Sequence, residues 1–124
     1  MKEEVLDILK ENGADVENSL KRFMGNRGLY EKFLLKFPSD QNMSNLRECM
    51  KNQNYEEAFK CVHTLKGVSA NLGLNPIQDL SSQMTELMRG KQRDEIDMDT
   101  LNKCFAELEE SYANFCRIIE ENQD

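Results

Sequence analysis

The residues with the clearest chemical potential are a histidine, a lysine and a glycine close together in the chain. His63 is the only histidine, Lys66 follows it by three residues and Gly67 by four. In a helix, residues three and four apart lie on the same side. The group would then combine a nucleophilic nitrogen, a nearby cation and an open approach, as phosphoryl transfer requires.

The spacing of apolar residues predicts that this segment is a helix with His63 facing solvent. At about 100° per residue, apolar side chains fall opposite His63. They are Cys61, Leu65, Val68 and Leu72, flanked by Ala58, Val62 and Ser69. The face around His63 carries charged and small residues and one aromatic: Glu56, Phe59, Lys60, Lys66, Gly67 and Ala70. Glycine inside a helix costs up to about 1 kcal/mol relative to alanine, so Gly67 indicates close approach by another surface.

Short polar residues and glycines mark where this helix and its neighbours begin and end. Asn54, with Glu57 three residues later, predicts an N-terminal capping box, and Gly73 suits the left-handed residue that closes a helix. Asn75 is interpreted as the cap of the next helix, with Pro76 in its first turn, and that helix ends at Gly90. It should bury Ile77, Leu80, Met84 and Leu87, while its polar stripe flanks His63: Gln78, Ser82, Thr85 and Arg89.

Helical patterns also cover the first half of the chain. A short helix over residues 2 to 11 carries Val5, Ile8 and Leu9 and stops at Gly13. A second, capped by Asp15, is expected to bury Val16, Leu20, Phe23 and Met24. A third begins near Asn26 and carries Leu29, Phe33, Leu34 and Phe37. Pro38 predicts a kink or a break, after which Met43, Leu46 and Met50 resume the pattern.

The last helix has the longest amphipathic stripe, with apolar residues three or four positions apart. These are Met98, Leu101, Phe105, Leu108, Tyr112, Phe115 and Ile119. No segment shows the alternation typical of a strand, and the connections are short. We therefore predict an all-α protein, an antiparallel four-helix bundle with one or two short additional N-terminal helices, in which residues 1–124 form a single domain.

Two segments resemble a known family. The run from His63 to Gly73 matches the signature His-x-x-Lys-Gly-x-Ser-x-x-Leu-Gly of histidine-containing phosphotransfer (HPt) domains, and residues 13–37 resemble the upstream segment of that family. The resemblance implies that His63 accepts a phosphoryl group from the phospho-aspartate of a receiver domain and passes it to another receiver. It also implies that Nε2 is the attacking nitrogen. An imidazole with its ordinary pKa of about 6.5 is largely neutral at cytoplasmic pH, as a nucleophile must be.

The charge and size of the neighbours of His63 suggest roles for them in such a transfer. Lys66, and also Lys60, would offset the charge of the transferred group, while Gly67 keeps the approach open. The predicted partner-binding residues are Phe59, Lys60, Ala70 and Thr85. Ser69 is interpreted as a packing residue.

One position departs from the family pattern. Many members carry a glutamine twenty-two residues after the histidine that bonds the imidazole, and here that position is Thr85. Which residue orients His63 is left open.

The amino-acid composition limits the classes of molecule that the protein is expected to bind. A net charge of -7 argues against nucleic acid and anionic membranes, so we expect a protein partner: receiver domains and hybrid or other histidine kinases. The acidic N-terminus and the lack of a long apolar run predict a cytoplasmic protein, and we expect a monomer. Four cysteines without a C-x-x-C pair indicate neither a zinc site nor a clear disulfide framework.

We expect no metal or cofactor of the protein's own, with magnesium carried by the receiver. Two alternatives remain at this level. The chain would be a direct substrate of an ATP-dependent histidine kinase, or an adaptor with the HPt fold that carries no phosphate. Kinase activity of its own is not expected, because no Gly-rich phosphate loop is present.

Overall fold

The chain folds into seven α-helices and two single-turn 3₁₀ helices, with no strand. The computed structural model describes residues 1–124. The α-helices are α1 (Val5–Glu11), α2 (Val16–Arg22), α3 (Arg27–Lys36), α4 (Gln41–Lys51), α5 (Tyr55–Asn71), α6 (Asn75–Met88) and α7 (Met98–Glu121). The 3₁₀ helices cover Phe37–Ser39 and Arg93–Glu95. The predicted all-α class is confirmed.

Helices α4 to α7 form the bundle. Each packs against the next in chain order, and an ion pair of 2.6 Å between Arg47 of α4 and Glu109 of α7 joins the first helix to the last. Three short helices precede α4, because α3 and α4 are separate helices rather than one helix kinked at Pro38. The first two of these helices end before Gly13 and Gly25, whose φ angles are positive.

One hydrophobic core runs through the molecule. A cluster of 27 buried residues includes Val5 and Leu9 of α1 as well as Leu65, Met84 and Leu108 of the bundle. The N-terminal helix therefore shares the core of the bundle, where α1 packs on α7.

The predicted helix starts were mostly right. The side chains of Asp15, Asn26 and Asn54 each accept a hydrogen bond from the backbone N–H three residues later. The chain breaks at Pro38, between α3 and α4, as one of the two predicted outcomes. The prediction that Asn75 caps α6 was wrong, because Asn75 is already the first residue of that helix.

The reason for the shifted start of α6 lies one residue upstream. Gly73, with a φ of +71°, turns the chain so that Leu74 takes the capping position. The side chain of Leu74 is fully buried in the core and supplies no capping hydrogen bond.

The buried faces of the helices differ in detail from the predicted ones. In α5 the fully buried residues are Ala58, Val62, Leu65 and Ser69, whereas Cys61 and Val68 are half-buried, so the core face is rotated from the predicted arc. Met24, which we expected to be buried, is 93% exposed because it follows the end of α2 in a left-handed turn.

Two other helices show similar shifts. Leu29 and Phe33 of α3 were predicted to face the core and are exposed, while Tyr30 is buried in their place. In α7, Cys104 and Ile118 are buried, and Met98 and Phe105 are only half-buried. The packing partners of each helix, rather than its own apolar stripe alone, select which residues lie inside.

Candidate functional site

His63 lies in the middle of α5, on the side away from the core. Its side chain is exposed, as the sequence predicted, and it forms no hydrogen bond with another group of the protein. The buried residues Val62 and Leu65 on the opposite side of the helix anchor that orientation. Both ring nitrogens are therefore free to meet an incoming group.

The ring of His63 is positioned by aromatic packing. Phe59, one turn earlier in α5, stacks against it with a centroid separation of 6.0 Å and an interplanar angle of 3°. The guanidinium of Arg89, at the end of α6, lies 5.4 Å from the centroid of the Phe59 ring, and its Nε donates to Glu86 at 3.1 Å. Arg89 and His63 therefore both pack against the ring of Phe59, which links the end of α6 to the imidazole on α5.

The two predicted lysines differ in how free their charges are. Lys60 is exposed and donates to Glu57 at 3.2 Å, and this hydrogen bond raises the pKa of its ammonium group. Lys66 is half-buried and forms no ion pair. Because Lys66 lies three residues after His63, it is the cation without a competing carboxylate on this face.

The surface next to His63 is open at Gly67. A Cβ atom added to Gly67 would meet no atom within 4 Å, and the residue is exposed. Ala70, the next position along this face, is half-buried and equally small. A second protein can approach α5 closely over this strip.

Thr85 does not lie on that surface. It is fully buried, and its hydroxyl donates to the backbone carbonyl of Ser81 at 2.7 Å within α6. The prediction that Thr85 binds a partner is wrong, because α6 turns this position towards the core. Ser69 is likewise buried and donates to the carbonyl of Leu65 at 2.8 Å, which matches its predicted packing role.

An apolar surface that sequence reasoning missed lies beyond the C-terminal end of α5. The Arg22 guanidinium donates to the carbonyls of Ala70 and Asn71, which brings the end of α2 beside that of α5. Next to Arg22 in the chain, Phe23 packs against the exposed ring of Phe33 at 5.4 Å between centroids. We call Met24, Leu29 and Phe33, all exposed, the α2–α3 patch. The sequence contains one indication of this exposed surface, namely the position of Met24 between the end of a helix and Gly25.

Other reactive groups do not compete with His63. No group of three or more His, Cys, Asp or Glu side chains is arranged to hold a metal ion. All four cysteines are free, and burial together with the neighbouring Cys49 raises the pKa of the Cys61 thiol. None of the helices has the length and apolar character needed to cross a membrane.

Of the comparisons with known proteins, one gives a match, and it extends over the four helices of the bundle. No curated protein and no solved structure matches the chain significantly. A family model described as "Hpt domain" matches residues 29–117, from α3 to the last turns of α7, with His63 inside the matched segment. That match covers well over half of the sequence, and from it we conclude that the chain belongs to the Hpt domain family, the phosphocarrier modules that transfer phosphoryl groups on histidine in phosphorelay signalling.

Proposed function

We propose that His63 takes a phosphoryl group from the aspartyl phosphate of one receiver domain and delivers it to the aspartate of another. The observation that carries this proposal is the exposure of the single histidine beside the open strip of Gly67 and Ala70. An aspartyl phosphate sits within its own domain, so the acceptor nitrogen has to stand clear of its surroundings to reach it. His63 on α5 meets that requirement.

In the proposed step, Nε2 of the neutral imidazole attacks the phosphorus atom in line with the departing carboxylate oxygen. The N–P bond forms as the P–O bond to the aspartate breaks, and the electron pair of that bond leaves with the carboxylate. The ring of His63 then carries the phosphoryl group and a positive charge shared with Nδ1–H. Transfer to the next receiver is the same exchange in reverse, and it needs no ATP and no redox partner.

The cations of the site stabilise the charge that moves. Lys66 is placed to interact with the phosphoryl oxygens as they arrive over α5, because no carboxylate holds it elsewhere. Arg89 is near the same face but is shared between Glu86 and the Phe59 ring. We propose that magnesium is supplied by the receiver, since the protein offers no carboxylate cluster, and that the protein has no cofactor and no kinase activity of its own.

The receiver would dock over α5 on Phe59, Lys60 and Ala70. A specific interface of standard size covers about 800 Å² on each partner, far more than the surroundings of one histidine. The α2–α3 patch adjoins this surface through Arg22 and Ala70, and its exposed apolar side chains suit the apolar centre of such an interface. We propose further that residues 1–124 act as one domain and as a cytoplasmic monomer.

The test uses the whole chain and a panel of purified receiver domains phosphorylated on aspartate. We expect phosphate to move to the protein as an acid-labile, base-stable adduct that maps to the peptide carrying His63. The matched control is His63→Gln, which should accept no phosphate while its thermal unfolding stays close to wild type, because the position faces water. Acid-labile phosphate on His63→Gln, or no transfer from any receiver, would contradict the proposal. A purified histidine kinase with ATP tests the alternative donor.

A further inference from the structure

A groove opens beside His63 at the end of the bundle where α5 begins. One wall is the first turns of α5, up to Phe59 and Lys60, and the other is the connection between α6 and α7, residues 89–97. Apolar side chains contribute to its lining: Tyr55, Phe59, Met88 and Ile96. A second depression shares part of this lining and continues the groove to α7. Because Phe59 stacks on His63, the groove begins at the phosphorylation site.

The charge of this groove is opposite to that of the whole protein. Its lining contains the cations Lys60, Lys91 and Arg93 against one carboxylate, Glu56, in a chain with a net charge of -7. Lys91 and Arg93 form no ion pair with a carboxylate, whereas Lys60 is paired with Glu57. Asp94 lines only the second depression, to which Phe59 and Lys60 do not contribute. The groove is therefore a cationic and partly apolar channel.

The shape of the groove is held by contacts within the protein. The guanidinium of Arg93 donates to the side chain of Gln53, which bridges the α6–α7 connection and the turn before α5. The backbone N–H of Gln92 donates to the Glu95 carboxylate at 2.8 Å, which closes the short 3₁₀ helix that follows. A site that is formed before binding avoids the entropy cost of ordering a loop.

We propose that this groove receives an acidic loop of the receiver domain that docks on His63, and that Lys91 and Arg93 determine which receivers bind. The inference rests on the proposed phosphotransfer. A receiver whose aspartate reaches His63 has to cover the mouth of the groove at Phe59, and an interface of standard size extends beyond it. Complementary charge at the rim of an interface raises the association rate and rejects partners of the wrong sign.

The first experiment reverses charge on the connection. We compare Lys91→Glu, Arg93→Glu and the double variant with wild type, using an isolated receiver domain that exchanges phosphate with the wild-type chain. We expect the double variant to bind this receiver about tenfold more weakly at low ionic strength, with the difference shrinking as salt is added. The matched control is Lys10→Glu with Arg117→Glu, two exposed positions on α1 and α7 that make the same change in net charge.

Two further measurements separate this inference from the proposed function. Phosphoramidate, a small phosphodonor, should phosphorylate His63 in the double variant at the wild-type rate, because it does not use the groove. Replacement of Gln92 by the photoreactive benzoylphenylalanine should cross-link the bound receiver, while the same replacement of Lys10 should not.

The outcomes are distinct. The groove proposal would be overturned if the Lys91→Glu/Arg93→Glu variant and the Lys10→Glu/Arg117→Glu control lost the same amount of receiver affinity. It would also be overturned if position 92 gave no cross-link to a receiver that exchanges phosphate. Either result would leave the proposed phosphotransfer function unaffected. Failure of both the receivers and phosphoramidate to phosphorylate His63 would remove the proposed function and this inference with it.

Discussion

Two glycines of the same signature, Gly67 and Gly73, serve opposite regions of α5. Around Gly67, in the middle of the helix, an added Cβ would meet nothing within 4 Å. At Gly73, just past the helix end, an added Cβ would lie 2.5 Å from the backbone oxygen of Asp15 and also against the Ser19 hydroxyl. Gly73 further adopts a φ of +71°, and its carbonyl accepts from the Asp15 N–H at 2.8 Å.

Glycine therefore meets two different steric needs along the same helix: an open surface at Gly67 and close contact with another helix at Gly73. The surface around Gly67 has no neighbour in the folded chain, as the proposed docking of a receiver requires, whereas the end of α5 is filled by the start of the protein's own α2. Space without a neighbour in the folded chain is the mark of the first region, and backbone-to-backbone contact is the mark of the second. Substitutions should therefore separate transfer from stability along a single helix.

Gly67→Gln should give the largest effect, on function alone. The added side chain stands where the receiver must approach, and a displacement of about 1 Å is enough to slow a positioned reaction about 100-fold. Helix stability should rise slightly, because glutamine favours helix over glycine. The measurement is the single-turnover rate of phosphate transfer from a receiver, alongside thermal unfolding. Gly67→Ala is the control and should retain most of the rate; wild-type transfer by Gly67→Gln would show that the receiver does not approach over this face.

Gly73→Ala should instead affect stability, and we expect it to lower the free energy of unfolding by about 3 kcal/mol. The substitution places an alanine in a left-handed backbone conformation and brings its Cβ into a clash with Asp15. Phosphorylation of His63 by phosphoramidate should persist in the folded fraction. The matched control is Gly90→Ala, because Gly90 has a φ of +66° and open space around its Cβ. That variant should lose only about 1 kcal/mol, from backbone strain alone, in urea unfolding. Equal losses at the two glycines would mean that the contact with α2 contributes nothing.

Lys66→Ala should slow transfer about tenfold, which corresponds to about 1.4 kcal/mol of transition-state stabilisation. Receiver affinity should change less, because the charge of Lys66 matters most as the phosphoryl group arrives. Lys60→Ala is the comparison, and its effect on the rate should be smaller since Glu57 already pairs with Lys60. Equal losses of rate and affinity for Lys66→Ala would instead make it a docking residue.

Phe59→Leu should produce the smallest effect, a fewfold slower transfer. Leucine keeps most of the packing of Phe59 against the core but removes the flat ring that stacks on His63 and lies beneath Arg89. Phe59→Ala should add a loss of stability of about 1 kcal/mol, because the residue is partly buried. Rates measured with phosphoramidate and with a receiver would separate orientation of the imidazole from docking. An unchanged rate with both donors would leave His63 without an identified positioning residue.

Much of this structure could be predicted from the sequence, because it depends on interactions between residues that are close in the chain. The caps at Asp15, Asn26 and Asn54, the break at Pro38 and the end of α6 before Gly90 depend on residues within a few positions of each other, so the chain itself specifies them. The exposure of His63 followed from the apolar residues on the other side of the same helix. The signature from His63 to Gly73 led to the Hpt family, which the family model confirms.

What only the tertiary structure decided is which helix faces meet. Thr85 is buried, and Phe33 and Met24 are exposed, although their spacing in the sequence indicated the opposite. The stack of Arg89, Phe59 and His63 joins two helices, and the cationic groove joins the start of α5 to a connection more than thirty residues away. A periodic pattern determines that a helix has an inner side, but its rotation about its own axis is set by the neighbours that fill the core. Sequence alone therefore identified the family and singled out His63 as the candidate reacting residue, and packing determined what surrounds it.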